Sequence, residues 1–355
     1  MKFNLLNSEI NIKEKADIRK LYIELTTHCN FDCEMCFRQS FREKFGSMKY
    51  ELFQKILNDM KEFPDLRWVV LGGIGEPMVY KHFKDAVIEL KNRGYRIIIT
   101  SNGSLINDSM MDFLISAEVD KINISAEDSK IGHPFFKKTL ELIKTFNNKV
   151  KDAGREYPKI GVEYALGKES IKRIEDTTKE IIEAGVSDII FTNIVPTTKK
   201  VCDSTLYNKR KYENFDLYLN KLIVAQIYAI ISKFKPRIER HCDFIENNAT
   251  VIRWDGEVSP CYRLLHNYTE IVFGKEKRVE AHSFGNVKNQ SLYDIWNSKD
   301  YMIFRFEVKN SLFPSCTDCE FRDSCFFINS TEEDCWGNSP TCADCLWWHR
   351  IAICS

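Results

Sequence analysis

The chain has 355 residues, enough for one large domain with a smaller one beside it, and its 44% apolar share supports a substantial core. Lys plus Arg and Asp plus Glu both number 51, so the formal net charge is zero and gives no basis for a nucleic-acid or anionic-membrane partner. Met1 to Lys20 is polar and charged, without a signal-peptide core, and the longest apolar stretch, Leu222 to Ile231, is broken by Gln226 and too short to span a bilayer, so a soluble cytoplasmic protein is expected.

Through the first half, short β-rich runs alternate with amphipathic stretches. Residues 21–25, 68–71, 96–99, 121–124, 160–164 and 188–191 read as strands. Between them, segments near 51–63, 81–93, 108–117, 135–152 and 169–184 carry apolar residues at three- and four-residue intervals and read as helices. Strands joined by crossover helices imply a parallel α/β sheet, curved or closed, with right-handed connections. Residues 206–235 read as one long helix or a helix pair stopped by Pro236. After His241 regular periodicity fades and cysteines and turns become frequent. The expected organisation is an arm over 1–20, an α/β unit over 21–205, a helical linker over 206–241 and a cysteine-rich unit over 242–355.

The chain holds 13 cysteines, an odd number in tight groups with no export signal, so reduced thiols that hold metal fit better than disulfides. Cys29, Cys33 and Cys36 follow the first strand with C-x3-C-x2-C spacing. Most [4Fe-4S] clusters take four cysteines; three in one loop leave an iron open to a substrate or cofactor. S-adenosylmethionine (SAM) can chelate such an iron through its amino and carboxylate groups, and its reductive cleavage supplies a 5′-deoxyadenosyl radical. The alternative is a zinc site that includes His28.

The other distinctive segments also fall at strand ends, where parallel α/β folds bind ligands. After the second strand comes Gly72-Gly73-Ile74-Gly75-Glu76-Pro77: glycines allow close backbone approach, and Glu76 can accept from an ammonium group. Ser101 and Asn102 follow the third strand, and Ser125-Ala126-Glu127-Asp128 the fourth. Glu163 and Tyr164 end the fifth as candidate acid or base groups, and the segment 192–196, with Asn193, follows the sixth as a candidate adenine wall. Taken singly, each is an ordinary turn or strand end; their order and shared position carry the argument.

Together these segments resemble the radical SAM superfamily, whose fold is a partial (β/α)6 barrel with this triplet after its first strand. The resemblance implies SAM amino-group binding around Gly73–Glu76, and ribose and carboxylate contacts from Ser101, Asn102 and Ser125. Met35 departs from the aromatic residue common before the third cysteine. In the second half, Cys242, Gly256 and Cys261, then Cys316-x2-Cys319-x5-Cys325, Cys335, Cys342-x2-Cys345 and Cys354, resemble the SPASM extension, which holds one or two auxiliary [4Fe-4S] clusters. The usual pattern has a further cysteine where Asn329 stands here. The expected division gives Cys242, Cys261 and Cys335 to one cluster, with Cys342 as its fourth ligand. Cys316, Cys319 and Cys325 go to the other, completed by Cys345 or Cys354. Two C-x2-C knuckles also leave a zinc ribbon as an alternative. Cys202 reads as a plain thiol.

The segments 253–262, 283–287, 295–298, 313–319 and 334–347 are more specific. They resemble the radical SAM maturases of tungsten-containing aldehyde ferredoxin oxidoreductases. That resemblance implies a SAM-dependent maturase acting on a tungsten enzyme, its pterin cofactor or a precursor, supplied by a low-potential donor such as ferredoxin or flavodoxin. A peptide-modifying enzyme with a groove along the aromatic-rich 262–284 is the second reading. A non-catalytic metal-binding or electron-transfer protein is the third.

Overall fold

The computed structural model describes residues 2–5, 8–11, 17–126, 136–207, 228–234 and 239–354. Six strands follow one another in the first half: β1 (Lys20–Ile23), β2 (Trp68–Leu71), β3 (Arg96–Ser101), β4 (Lys121–Ser125), β5 (Lys159–Leu166) and β6 (Asp188–Asn193). Five helices alternate with them: α1 (Tyr50–Asp59), α2 (Phe83–Asn92), α3 (Asp108–Ser116), α4 (Phe136–Asp152) and α5 (Ile174–Glu183). Each matches its expected segment to within a few residues. The strands are short apolar runs buried on both faces, as a sheet covered by helices requires. Each helix turns one stripe inward; on α1 it is Leu52, Phe53, Ile56 and Leu57.

Neighbouring strands from β1 to β6 pair in parallel, in chain order. Two additions flank them. β7 (Tyr228–Ile231) pairs in parallel with β6, Ile189 opposite Ala229. The expected helix over 206–235 is therefore corrected at its end, because the pairing with β6 decides the conformation; 208–227 and Pro236 lie outside the described residues. On the other side β8 (Ala249–Ile252) pairs in parallel with β1, Thr250 opposite Leu21, and β9 (Val258–Ser259) pairs antiparallel with β8. The cysteine-rich half thus completes the barrel sheet, whose edges are β9 and β7.

The remainder reaches both sides of the sheet: Tyr301 Oη bonds Thr250 Oγ1 (2.8 Å) on β8, and Ile271 N donates to Pro196 O (2.7 Å) just after β6. β10 (Tyr268–Val272) and β11 (Lys275–Val279) form a hairpin, followed by α6 (Leu292–Trp296) and α7 (Lys299–Lys309). Ser291 and Ser298 cap these helices by accepting from Asp294 N and Tyr301 N. In the aromatic-rich 262–284 segment, Tyr268 is buried and Phe284 stacks on Tyr301, 4.1 Å between centroids. No described helix is long and apolar enough to cross a membrane.

Candidate active site and cysteine centres

The chain leaves β1 through Glu24 and enters the triplet loop. Thr27 N donates to Gly46 O (2.9 Å) and Gly46 N returns a bond to Thr27 Oγ1 (2.8 Å), which ties the loop base to the segment before α1. Cys36 N donates to Cys33 O (3.1 Å) and closes a turn. Cys29, Cys33 and Cys36 all border one cavity of about 330 Å³ at the carboxyl ends of the strands. The Cys29 sulfur accepts from Phe31 N (3.4 Å) and from Asn102 Nδ2 (3.6 Å), donors that suit a metal-bound thiolate. Met35 packs against Ala165, Ile194 and Val201, so an apolar side chain suffices at that position.

The loop after β2 divides into a wall and its support. Gly73 and Ile74 line the cavity. Gly73 has φ +133°, and a Cβ there would lie 2.7 Å from Glu24 Cγ. Gly75 is pressed onto the triplet loop: a Cβ would stand 2.3 Å from Thr26 O and 2.6 Å from His28 O. Glu76 N donates to His28 O (2.9 Å). Glu76 itself is 2% exposed, and its carboxylate accepts from Met78 N (3.1 Å), Ser101 Oγ (3.0 and 3.1 Å) and Asn102 N (2.8 Å). Glu76 is buried as a clamp between the loops after β2 and β3. Ser101, which also accepts from Gly103 N (3.0 Å), shares that supporting position, and Gly72 packs near Thr100 and Tyr262.

Asn102, Ser125, Glu163 and Asn193 do line the cavity, as does Thr192. Tyr164 points the other way, into the core against Phe136 and Phe191, as strand alternation requires. Glu127 and Asp128 lie outside the described residues. Asn193 is buried; its Nδ2 donates to Lys233 O (2.8 Å) and Ile351 O (2.9 Å), while its Oδ1 is a buried acceptor without a partner among the described residues. An unspent acceptor on this wall fits a ligand bearing N–H donors, such as an adenine.

Sequence reasoning missed the cavity's roof, which comes from far along the chain. Tyr262, Trp347, Ala352, Ile353 and Cys354 line it beside the triplet. Ile353 N donates to Thr192 Oγ1 (2.9 Å), so the segment is pinned to the end of β6. A buried ion triad makes a second link. His266 Nε2 meets Glu24 Oε1 and Oε2 (2.9 Å each), and its Nδ1 bonds Glu43. Burial alone would lower the His266 pKa, but the Glu24 and Glu43 carboxylates outweigh it and raise it to about 9. Glu24 Oε1 also accepts from Ile74 N (3.2 Å), so the triad reaches the cavity wall. A Glu directly after β1 was visible in the sequence; its distant histidine was not.

The remaining cysteines fall into two sets and a single thiol. Cys242, Cys261, Cys342, Cys345 and Cys354 border a small enclosed cavity of about 40 Å³. Burial and neighbouring thiols push Cys261 up to about 12 and Cys242 higher still. Thiols in such a pocket keep their protons until a metal replaces them, which fits an iron–sulfur centre held by thiolates. In the second set, Cys335 is exposed and feels Cys325 and Cys319, while Cys316 feels Cys335. The expected grouping of Cys335 with Cys242 and Cys261 is corrected. Asp334 accepts from Trp336 N (2.9 Å), Asn338 N (3.2 Å) and Thr341 Oγ1 (2.7 Å), a tight turn that leaves Cys335 outward and carries Cys342 inward. Asp344, between the knuckle cysteines, is anchored by Arg263 (3.0 Å) and Lys277 (2.8 Å), and Arg263 also holds Glu270 (2.5 Å), all four buried. Cys202 is half-buried and belongs to neither set.

Models of two families match: the radical SAM superfamily over residues 23–199 and SPASM, an iron-sulfur cluster-binding domain, over 242–320. The chain is a radical SAM enzyme with a SPASM extension. Among curated proteins it is 42% identical over 349 residues to the tungsten-containing aldehyde ferredoxin oxidoreductase cofactor-modifying protein of Pyrococcus furiosus, covering 95% of this chain and 97% of that one. The chain belongs to the family of that protein. It is also 20% identical to Fe-coproporphyrin III synthase of Methanosarcina barkeri, over 90% of this chain and 86% of that one. Among solved structures, Streptococcus suis SuiB bound to S-adenosylmethionine aligns with TM-score 0.61 at 19% identity, covering 87% of this chain and 72% of that one. The anSMEcpe structure with bound AdoMet aligns with TM-score 0.59 at 17% identity, covering 86% and 84%. At these identities the solved structures speak for the fold.

Radical SAM domains carry a [4Fe-4S] cluster that binds SAM, and SPASM domains carry auxiliary clusters. The described cysteines stand in three places: the triplet at the barrel mouth, the five that border the inner cavity, and Cys316, Cys319, Cys325 and the exposed Cys335. Membership of the radical SAM enzymes sets aside the reading as a non-catalytic scaffold.

Proposed function

We propose that this protein acts on the pterin cofactor of a tungsten-containing oxidoreductase, or on a precursor of it, during maturation of that enzyme in a reducing cytoplasm. The relative at 42% identity across 95% of the chain carries this reading. Cys29, Cys33 and Cys36 hold the cluster that binds SAM, and that cluster supplies the electron for reductive cleavage. Gly73, Ile74, Asn102, Ser125, Glu163 and Asn193 form the SAM wall. Gly72, Gly75, Glu76 and Ser101 keep that wall against the triplet loop. Asn102 orders Cys29 by its N–H···S bond, and the Tyr262–Trp347–Ile353 roof excludes water from the radical's surroundings. The inner auxiliary cluster takes its four ligands from the five thiols that border the inner cavity, and the outer one draws on Cys316, Cys319, Cys325 and Cys335. A ferredoxin or flavodoxin supplies electrons.

Anaerobic reconstitution with iron, sulfide and zinc counted tests the cofactor content: about twelve irons per chain match three clusters. Replacing all three triplet cysteines by alanine should remove about four irons and abolish 5′-deoxyadenosine formation. Zinc in place of iron, with no SAM cleavage by intact protein, refutes the reading. Deleting the gene should leave the partner tungsten oxidoreductase inactive with its polypeptide present; full activity of that enzyme in the deletion strain would exclude the maturation role.

A further inference from the structure

Five thiols border the inner cavity, and a [4Fe-4S] cluster uses four. Cys354 is the one of the five that also borders the barrel-mouth cavity, where the triplet stands. The others are built into the inner pocket. Cys242 and Cys261 each receive backbone N–H groups, from Ile245 and Phe244 and from Leu264 and Arg263, and Cys345 receives them from Trp348 and Trp347. Cys345 N donates to Cys342 O (3.1 Å), which turns the two knuckle sulfurs to one side, and Cys342 is buried. The Cys354 segment is instead docked on the barrel: Asn193 holds Ile351 O and Thr192 holds Ile353 N.

We propose that Cys242, Cys261, Cys342 and Cys345 hold the inner cluster, and that Cys354 remains a thiol presented to the barrel mouth as a hydrogen-atom donor to a carbon radical formed there. This rests on the radical chemistry assigned above. In the step, the S–H bond breaks and a C–H bond forms, leaving a thiyl radical. One electron from an external low-potential one-electron donor and one proton from water restore the thiol.

Two measurements test the proposal. In anaerobic holoenzyme, Cys354→Ala should keep its full iron content, whereas Cys342→Ala should lose about four irons per chain. Loss of about four irons from Cys354→Ala with none from Cys342→Ala would overturn the ligand set. In D2O, with SAM and titanium(III) citrate and no substrate, the 5′-deoxyadenosyl radical should take deuterium from the Cys354 thiol. The Cys354→Ala variant should give several-fold less deuterated 5′-deoxyadenosine with its iron content unchanged. Equal deuterium content, or loss of about four irons, sinks the donor role. If the native protein forms no 5′-deoxyadenosine at all, the radical reading fails and the donor role with it, while the iron content of the two variants still reports the ligand set.

Discussion

Replacing His266 by glutamine removes the cation from a buried site where two carboxylates converge. His266 is 1% exposed and Glu24 0%. Its pKa rises from the ordinary 6.5 to about 9, because Glu24 and Glu43 overcome the effect of burial. At 1.36 kcal/mol per tenfold in proton affinity this corresponds to about 3 kcal/mol. The sign follows from the direction. A histidine whose folded pKa is raised contributes its full stabilisation below about 6.5, and that contribution is lost as pH rises through about 9. At about 2.1 cal/mol/K per residue, the 355-residue chain has an unfolding entropy near 0.75 kcal/mol/K, so 3 kcal/mol is about 4 °C in the midpoint. Anaerobic thermal unfolding of the holoenzyme across pH 6 to 9.5 should show the native midpoint falling by about that amount relative to His266→Gln. Taking the difference between the two proteins cancels other pH-dependent losses. If both fall in parallel, His266 does not bind its proton between the carboxylates and the argument is wrong. Because Glu24 also holds Ile74 N, the variant should bind SAM several-fold more weakly at pH 7 in equilibrium dialysis.

Two further substitutions probe the loop packing and the buried charges. Gly75→Ala places a methyl against the backbone oxygens of Thr26 and His28, which cannot move as a side-chain tip could, so the triplet should lose about four irons per chain by iron assay, with the auxiliary clusters kept. Arg263→Met strips Glu270 and Asp344 of a shared buried partner, a loss of about 3–5 kcal/mol, and should lower the anaerobic unfolding midpoint by roughly 4–7 °C. An unchanged midpoint would mean that Lys277 alone compensates for the Asp344 charge.

The barrel was legible because its strands and helices are local patterns: period, length and apolar run decide them before any tertiary contact forms. The triplet was legible for the same reason, since the three sulfurs share one loop. The chain therefore determined by itself the six barrel strands, their five helices and the grouping of Cys29, Cys33 and Cys36 in one loop at the end of β1. Where residues meet across long separations, spacing stopped being informative. Segment 228–231 carries an apolar pattern equally suited to a helix, and only the free edge of β6 makes it a strand. Glu76 has the look of a ligand group, but its carboxylate is taken up by Ser101 and two backbone amides. Cys335 precedes the Cys342 knuckle by only a few residues, yet the Asp334 turn sends the two to different sets. His266 and Cys354 reach the barrel mouth from more than 200 residues beyond the triplet. Burial and long-range pairing decide those placements, and both are properties of the assembled fold.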